Sequence, residues 1–442
     1  MCTTCGCGQH HNHSHVVSPH QSSTELISLE KDILSANNQL AERVRGFFEA
    51  RNIFALNLMS SPGAGKTTLL EKTIQQLDGK NGIYVIEGDQ QTSNDANRIR
   101  QLGIPAIQIN TGSGCHLEAS QVYQAVRELN PICESILFIE NVGNLVCPAI
   151  FDLGQNRKVV IISPTEGDDK PLKYPQMFIE ADICIINKID LSPFLPTDIH
   201  QLKENLLEVN HHLQIFEISA LTGEGIGQWC QWIIESQTQL RNITCQHSFF
   251  NEKALHWDED NPIDRQAVIS LLDKLNIQPH DRILDVGCGT GILFPYLEEK
   301  AYEGEIIGID NSDAMIKEAG KKTRQLHHVR ILQIDIEKES VNGLFNKIIL
   351  FRVFPHLHNR TGIIKKLVAL LSPGGKLLIA HDNGRKFLND MHANHDSRIH
   401  NAQLIDVKKQ QEIFQDAGMN VVEAYEDNDS YYLLIEKAEI SK

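Results

Sequence analysis

Short, almost continuous apolar runs recur along most of the chain, separated by stretches whose apolar residues return every third or fourth position. The runs at Phe54–Met59, Ile136–Ile139 and Ile183–Ile186 have strand length and little polar alternation, as expected of strands covered on both faces. From Ile53 to about Ser236 such runs alternate with helical stretches, which predicts a parallel sheet wrapped by helices. An amphipathic helix is predicted ahead of them, from about Leu26 to Glu49. The polar segment that begins at Gln237 lacks strong periodicity and is read as a linker over 237–248. A second alternation starts near Phe249 and runs to the end. The chain is therefore expected to divide into a tail over 1–24, an α/β domain over 25–236, the linker, and a second α/β domain over 249–442. Val421–Tyr425 and Tyr431–Ile435, parted by the polar Glu426–Ser430, predict that the second sheet ends in an antiparallel hairpin.

Composition narrows the class. The chain has 442 residues, 41% hydrophobic and 22% charged, enough for two or three cores. A formal net charge of -16 argues against a general binder of nucleic acid or anionic membrane, which needs a basic surface. Neither a long apolar run nor a basic-then-apolar leader stands out, so a cytoplasmic protein without a membrane span is expected. Its ten cysteines are then thiols or metal ligands. Cys133, Cys184, Cys230 and Cys288 sit in apolar or glycine-rich surroundings and are expected to be small core residues.

The first chemistry lies at the N-terminus. Cys2, Cys5 and Cys7 crowd into MCTTCGCG, and His10, His11, His13, His15 and His20 follow. Thiolates this close, at a terminus with nothing to pack against, suit one soft or borderline metal ion, nickel or zinc, with the terminal amine as a fourth ligand.

The second is a phosphate loop. SSPGAGKTT (60–68) follows the strand Phe54–Met59 and opens a helix. Gly63, Ala64 and Gly65 would wrap their N–H groups around phosphates, Lys66 would reach the terminal ones, Thr67 would ligate Mg²⁺, and Thr68 is a further GTP-binding residue. NKID (187–190) and SALTGEG (219–225) each follow a strand. The Asp190 carboxylate can accept from the guanine N–H and amine, which selects GTP; Asn187, Lys188, Ser219 and Ala220 complete the base site. Asp89 and Glu140, each at a strand end, are candidates for holding the metal, and Gly143 for sensing the terminal phosphate. Lys66, Thr67, Asp89 and Glu140 are the expected catalytic set, and Gly63 to Thr68 with Gly143 bind GTP. No glutamine is evident to orient water, so hydrolysis is expected to be slow.

On CTTCGC, SSPGAGKTT, EGDQQTSNDA (87–96), TGSGCHL (111–117), ENVGNLVCP (140–148), NKID and SALTGEG, residues 1–236 resemble the hydrogenase nickel-incorporation protein B family. The resemblance implies a GTPase that dimerises through its G domain and helps insert nickel into hydrogenase. It further implies a nickel-accessory protein and the hydrogenase large subunit as partners. It also implies a second metal site at Cys115, His116 and Cys147, for nickel or zinc. The alternatives are a nickel storage protein with a regulatory GTPase, the histidine run as ligand reserve and an inert methyltransferase-like scaffold, or service to another nickel enzyme such as urease.

The second domain carries ILDVGCGTG (283–291) between a strand and a helix, EIIGID (305–310), VRILQID (329–335) and SPGGKLLIA (372–380). This set resembles the class I S-adenosylmethionine-dependent methyltransferases, which implies a Rossmann-like fold. Gly287, Gly289 and Gly291 would admit the methionine part of the cosubstrate, Asp285 its amine, Asp310 the ribose and Asp335 the adenine. FFNEKALHWDED (249–260) resembles the short helical lead-in of small-molecule members. Arg352, His356, His381, Asp382, His392, His395 and His400 are candidates near the acceptor, each of them also readable as an ordinary surface or core residue. A small-molecule acceptor is expected.

Overall fold

The computed structural model describes residues 19–78, 82–89, 94–112, 114–144 and 146–438. Cys2, Cys5, Cys7 and the histidines through His15 lie outside them. Contacts divide the chain into two compact units, the second beginning at Asn242.

The first unit holds a seven-stranded parallel sheet. Its strands are β1 (Phe54–Ser60), β2 (Ile83–Asp89), β3 (Ala106–Asn110), β4 (Ile136–Glu140), β5 (Arg157–Ile162), β6 (Ile183–Asn187) and β7 (Gln214–Ile218), in the order β3-β2-β4-β1-β5-β6-β7. The apolar runs are central strands buried on both sides. Phe54, Leu56 and Leu58 of β1 enter one core with Leu69, Ile74 and Trp229, while Ala55 enters the opposite core with Ile86, Leu137 and Ile139. Each such fully buried Leu or Phe contributes about 1.5–3 kcal/mol.

The helix before β1 spans Pro19–Arg51, longer than the predicted stretch. Its Val44 and Phe48 cover the second core beside Val122 and Val126, and Arg45 is ion-paired to Asp152 at 2.5 Å. Gly154 permits the close approach: a Cβ there would lie 2.7 Å from the Ala41 carbonyl oxygen.

The segment 237–248, read as a linker, holds the boundary between the two units and is itself helical. It lies inside one helix, Ile226–Lys253. Polarity alone does not stop a helix, and no glycine or proline interrupts residues 237–253.

The second unit is a seven-stranded mixed sheet of β8 (Arg282–Val286), β9 (Glu305–Asp310), β10 (Val329–Gln333), β11 (Phe345–Phe351), β12 (Leu371–His381), β13 (Val421–Glu426) and β14 (Tyr431–Glu436). The order is β10-β9-β8-β11-β12-β14-β13, with β14 antiparallel to both its neighbours. The predicted hairpin closes this sheet. Cys184, Cys230 and Cys288 are core residues as expected. Cys133 is exposed, because it lies in the loop that precedes β4 and faces outward there.

Candidate functional site

In the first unit, β1 delivers the chain into the turn Ser61–Gly65, and the helix Lys66–Leu77 starts directly after it. Gly63 and Gly65 have φ of 84° and 90°, which L-residues seldom adopt. Their roles differ. A Cβ on Gly63 would meet nothing within 4 Å, so this residue opens onto the cleft; one on Gly65 would fall 2.6 Å from Asn187 Nδ2. Gly65 is thus glycine because the NKID asparagine crosses it.

The cleft has a volume of about 440 Å³ and is bounded by the loop, Thr67, Thr68, Glu87, Asp89, Glu140 and Gly143. Thr67 Oγ1 donates to Glu140 Oε1 at 2.7 Å, and Lys66 Nζ lies 3.7 Å from the same oxygen. Glu87 and Asp89 form the carboxylate pair that ends this strand, and because residues two apart on a strand share a face, Glu87 lines the cleft with Asp89. The oxygen donors of Thr67, Glu87, Asp89 and Glu140 fit a hard divalent cation such as Mg²⁺.

The base-site residues also converge. Asn187 Nδ2 donates to the Ala64 carbonyl at 2.9 Å while its Oδ1 accepts from the Ala220 N–H at 3.1 Å. Lys188, at φ 63°, reaches the Gly63 carbonyl at 2.6 Å, and Ser219 Oγ donates to Asp190 Oδ1 at 2.5 Å. The NKID loop therefore rests on the phosphate turn, and the SALTGEG loop rests on the NKID loop.

Among the described residues, the ligand atoms of Cys115, His116 and Cys147 lie within 4.8 Å of one another. Cys147 starts a short helix, Cys147–Ile150, and is buried. The His116 ring stacks on Phe151 with centroids 3.9 Å apart, and burial lowers its pKa, which keeps it a neutral ligand. Its Nε2 is buried and has no hydrogen-bond partner. Two thiols and an imidazole suit zinc, nickel or copper over hard cations.

Asn141 joins this cluster to the phosphate loop. Its carbonyl accepts from Lys66 Nζ, and its side-chain Oδ1 accepts from the N–H of Leu117, next to His116, at 3.0 Å. Its Nδ2 donates to Asn57 of β1 at 3.2 Å. Nothing in the sequence marked Asn141 beyond its place after Glu140.

In the second unit, β8 ends in a glycine turn. Asp285 is 2% exposed, its Oδ2 has no partner, and its pKa is pushed up to about 7, by burial first and then by Asp310. Asp310 accepts from the N–H groups of Gly289 and Ser312, each at 2.9 Å. Asp335 lies two residues past β10, where it accepts from the Glu337 N–H at 3.0 Å. The glycines separate into two kinds. A Cβ on Gly287 would strike Val353 at 2.3 Å and one on Gly291 would strike Phe294 at 2.4 Å, whereas one on Gly289 would meet only Met315 Sδ, at 4.0 Å. Only Gly289 faces open space; the other two answer to packing. An unpartnered carboxylate oxygen beside that space fits the ammonium of S-adenosylmethionine.

The lead-in segment is hydrogen bonded to this turn: Thr290 donates to Asp258, and Ser312 to Asn251. Arg352, at φ 57°, makes a forked pair with Asp382 and also donates to the carbonyls of Asn261 and Pro262. His381 and His392 are buried, whereas His395 and His400 are exposed.

Comparison with known proteins gives two matches. The family model described as CobW/HypB/UreG, nucleotide-binding domain, matches residues 54–217, and a methyltransferase domain model matches residues 260–424. The hydrogenase maturation factor HypB of Rhizobium leguminosarum bv. viciae is 56% identical over 215 residues, 49% of this chain and 72% of that protein. HypB of Escherichia coli K12 is 51% identical over 223 residues, 50% of this chain and 77% of that protein. The crystal structure of HypB from Archaeoglobus fulgidus aligns at a TM-score of 0.44 and 37% identity, covering 46% of this chain and 100% of its own. Through its N-terminal half the chain belongs to the HypB family of hydrogenase maturation factors, and a methyltransferase domain follows.

Proposed function

We propose that the protein is a GTP-dependent nickel metallochaperone of hydrogenase maturation, dimerising through its G domain, with a fused methyltransferase that acts on a small molecule. The observation that supports it best is the double attachment of Asn141, which ties the phosphate turn to the Cys115–His116–Cys147 cluster. Nickel is the cargo of that cluster, and the terminal Cys2, Cys5 and Cys7 are its tight reservoir. Partners follow from the family: a nickel-accessory protein and the hydrogenase large subunit.

In this reading Lys66 and the loop N–H groups hold the β- and γ-phosphates of GTP, and Asp190 selects guanine. Mg²⁺ would be held by Thr67 with Asp89 and Glu140 nearby, and would neutralise phosphate charge. Lys66 now rests on the Asn141 carbonyl; a γ-phosphate competes for the same ammonium. Releasing Asn141 alters the support of Leu117, and with it the aim of the adjacent His116. GTP binding and metal affinity are then coupled, and coupling is reciprocal.

Nickel affinity of the full chain, measured with a non-hydrolysable GTP analogue and with GDP, tests this. The two affinities should differ for the weaker site, and Asn141→Ala should abolish the difference. Equal affinities in the unmodified protein would refute the coupling.

A further inference from the structure

The methyltransferase unit has a polar cleft that the cosubstrate residues do not use. It has a volume of about 430 Å³, and Asn242, Gln246, His356, Asn359, Arg360 and Asn401 are among its walls. No carboxylate lines it. Arg360 supplies the positive charge, held in place by donating to the carbonyls of Pro355 and Leu357 at 2.7 and 3.2 Å. His358, also on the wall, is paired with Glu337 at 3.2 Å.

Behind the cleft lies a cluster of polar rings. The left-handed turn at Arg352 brings Val353 over the glycine turn and places His356 three residues on. The His356 ring meets Phe250 edge-on at 4.9 Å and His392 at 5.0 Å. His381, at the end of β12, faces Tyr431 at 6.1 Å. His392 donates Nδ1–H to the Ala402 carbonyl, which leaves its Nε2 bare of hydrogen when neutral. His356 Nδ1, His381 Nε2 and the Tyr431 hydroxyl are all buried without a hydrogen-bond partner. Each such atom costs about 1–3 kcal/mol in a folded interior, so three together call for an explanation.

From the cleft and these unpartnered groups we infer that this is the methyl-acceptor site, and that it takes a neutral or anionic small molecule bearing a hydroxyl, which His356 binds and deprotonates. The inference rests on the methyltransferase reading of this unit. A hydroxyl both donates and accepts, so it satisfies the imidazole of His356, the one of the three groups that lines the cleft, in either proton arrangement. A cationic amine has no carboxylate here to meet it. Burial, with His392, His381, Arg360 and His358 around it, holds His356 well below its ordinary pKa, so the ring is neutral and can accept a hydrogen. Terminal ring torsions are broad, and rotation of the His356 ring is what turns its nitrogen into the cleft. In the transfer, the acceptor oxygen forms a bond to the methyl carbon. The carbon–sulfur bond breaks with its electron pair going to sulfur, and the hydroxyl proton passes to His356. Positive charge thus moves from sulfonium to imidazolium, and the site gains no net charge.

The test uses the full chain with histidine rings labelled with ¹³C, saturated with S-adenosylhomocysteine, and titrated with catechol and, separately, benzylamine. Catechol should shift the His356, His381 and His392 resonances saturably, and benzylamine should bind at least tenfold more weakly. His356→Gln should weaken catechol binding at least tenfold. Should that variant prove unstable to heat, Asn401→Ala at the exposed rim should weaken it several-fold. Absence of catechol shifts in the unmodified protein, or equal binding of benzylamine, overturns the inference. Failure of S-adenosylhomocysteine itself to bind, read by calorimetry before either titration, would instead overturn the methyltransferase reading beneath it.

Discussion

Two glycine turns end two first strands in this molecule, and they are glycine-rich for different reasons. In the turn after β1, Gly63 faces an open cleft and Gly65 makes room for Asn187, a residue of the base site. In the turn after β8, Gly287 and Gly291 are required by Val353 and Phe294, and only Gly289 faces space that a ligand can fill. The first turn is shaped mainly by what binds it and by its partner loops. The second is shaped mainly by its own core. A glycine motif therefore reports an open cleft and a crossing loop in one unit and, in good part, core packing in the other.

The largest effect that would sharpen this contrast is at Lys66. Lys66→Ala removes a charged contact needed on transferring phosphate and should slow GTP hydrolysis by about 10³-fold in protein that remains folded. A loss below tenfold would make the first turn a structural feature too. Next comes Gly287→Ala, which forces both a clash and a left-handed alanine. Its cost should be about 2–4 kcal/mol in denaturant unfolding of the second unit, against about 1 kcal/mol for Gly289→Ala, which should instead weaken S-adenosylmethionine binding. Equal destabilisation by the two would erase the distinction.

A smaller effect is expected at Asp190. Asp190→Asn loses a charged acceptor, so GTP affinity should drop about 10–100-fold and selectivity over xanthosine triphosphate should fall or reverse. Unchanged nucleotide preference would detach the NKID loop from base choice.

The smallest effect is on pH dependence in the second unit. Asp285 sits near pH 7 when unliganded, above its ordinary 3.8. A raised carboxylate pKa favours the fold fully below the unfolded value, and that contribution is lost as pH rises through about 7. A cationic ligand needs the ionised form, so affinity for S-adenosylmethionine should rise about tenfold from pH 6 to 8, with proton release at pH 6. Calorimetry in two buffers of different ionisation heat reads both; a flat profile would separate Asp285 from the ammonium.

The sheet strands and the three nucleotide loops were legible in the sequence because each is marked by local pattern: an apolar run, or residue types at fixed spacing. Asn141, Glu87 and the Arg352–Asp382 fork were not marked as a connected set. Their roles depend on strand neighbours and loop crossings that only the register β2-β4-β1 or the turn after β11 creates. The polar segment 237–248 does hold the boundary between the two units, but its helical conformation was not legible because no strong apolar periodicity marks it. Cys133 misled because apolar neighbours in sequence, Ile132 and Ile136, do not share its direction: Ile136 is buried while Ile132 and Cys133 are exposed.

The remaining cysteines give the protein a quiet background for chemical footprinting. Burial pushes the Cys230 thiol up to about 11 and raises Cys184 and Cys288 as well. Below pH 8 such thiols hold on the order of one thiolate in a thousand or less, so iodoacetamide passes them by. Among the described residues, alkylation of the native chain should therefore report on Cys115, Cys133 and Cys245, with the exposed Cys133 as the internal standard. Occupancy of the Cys115 cluster can then be read as a protection ratio within one molecule, without altering a single residue.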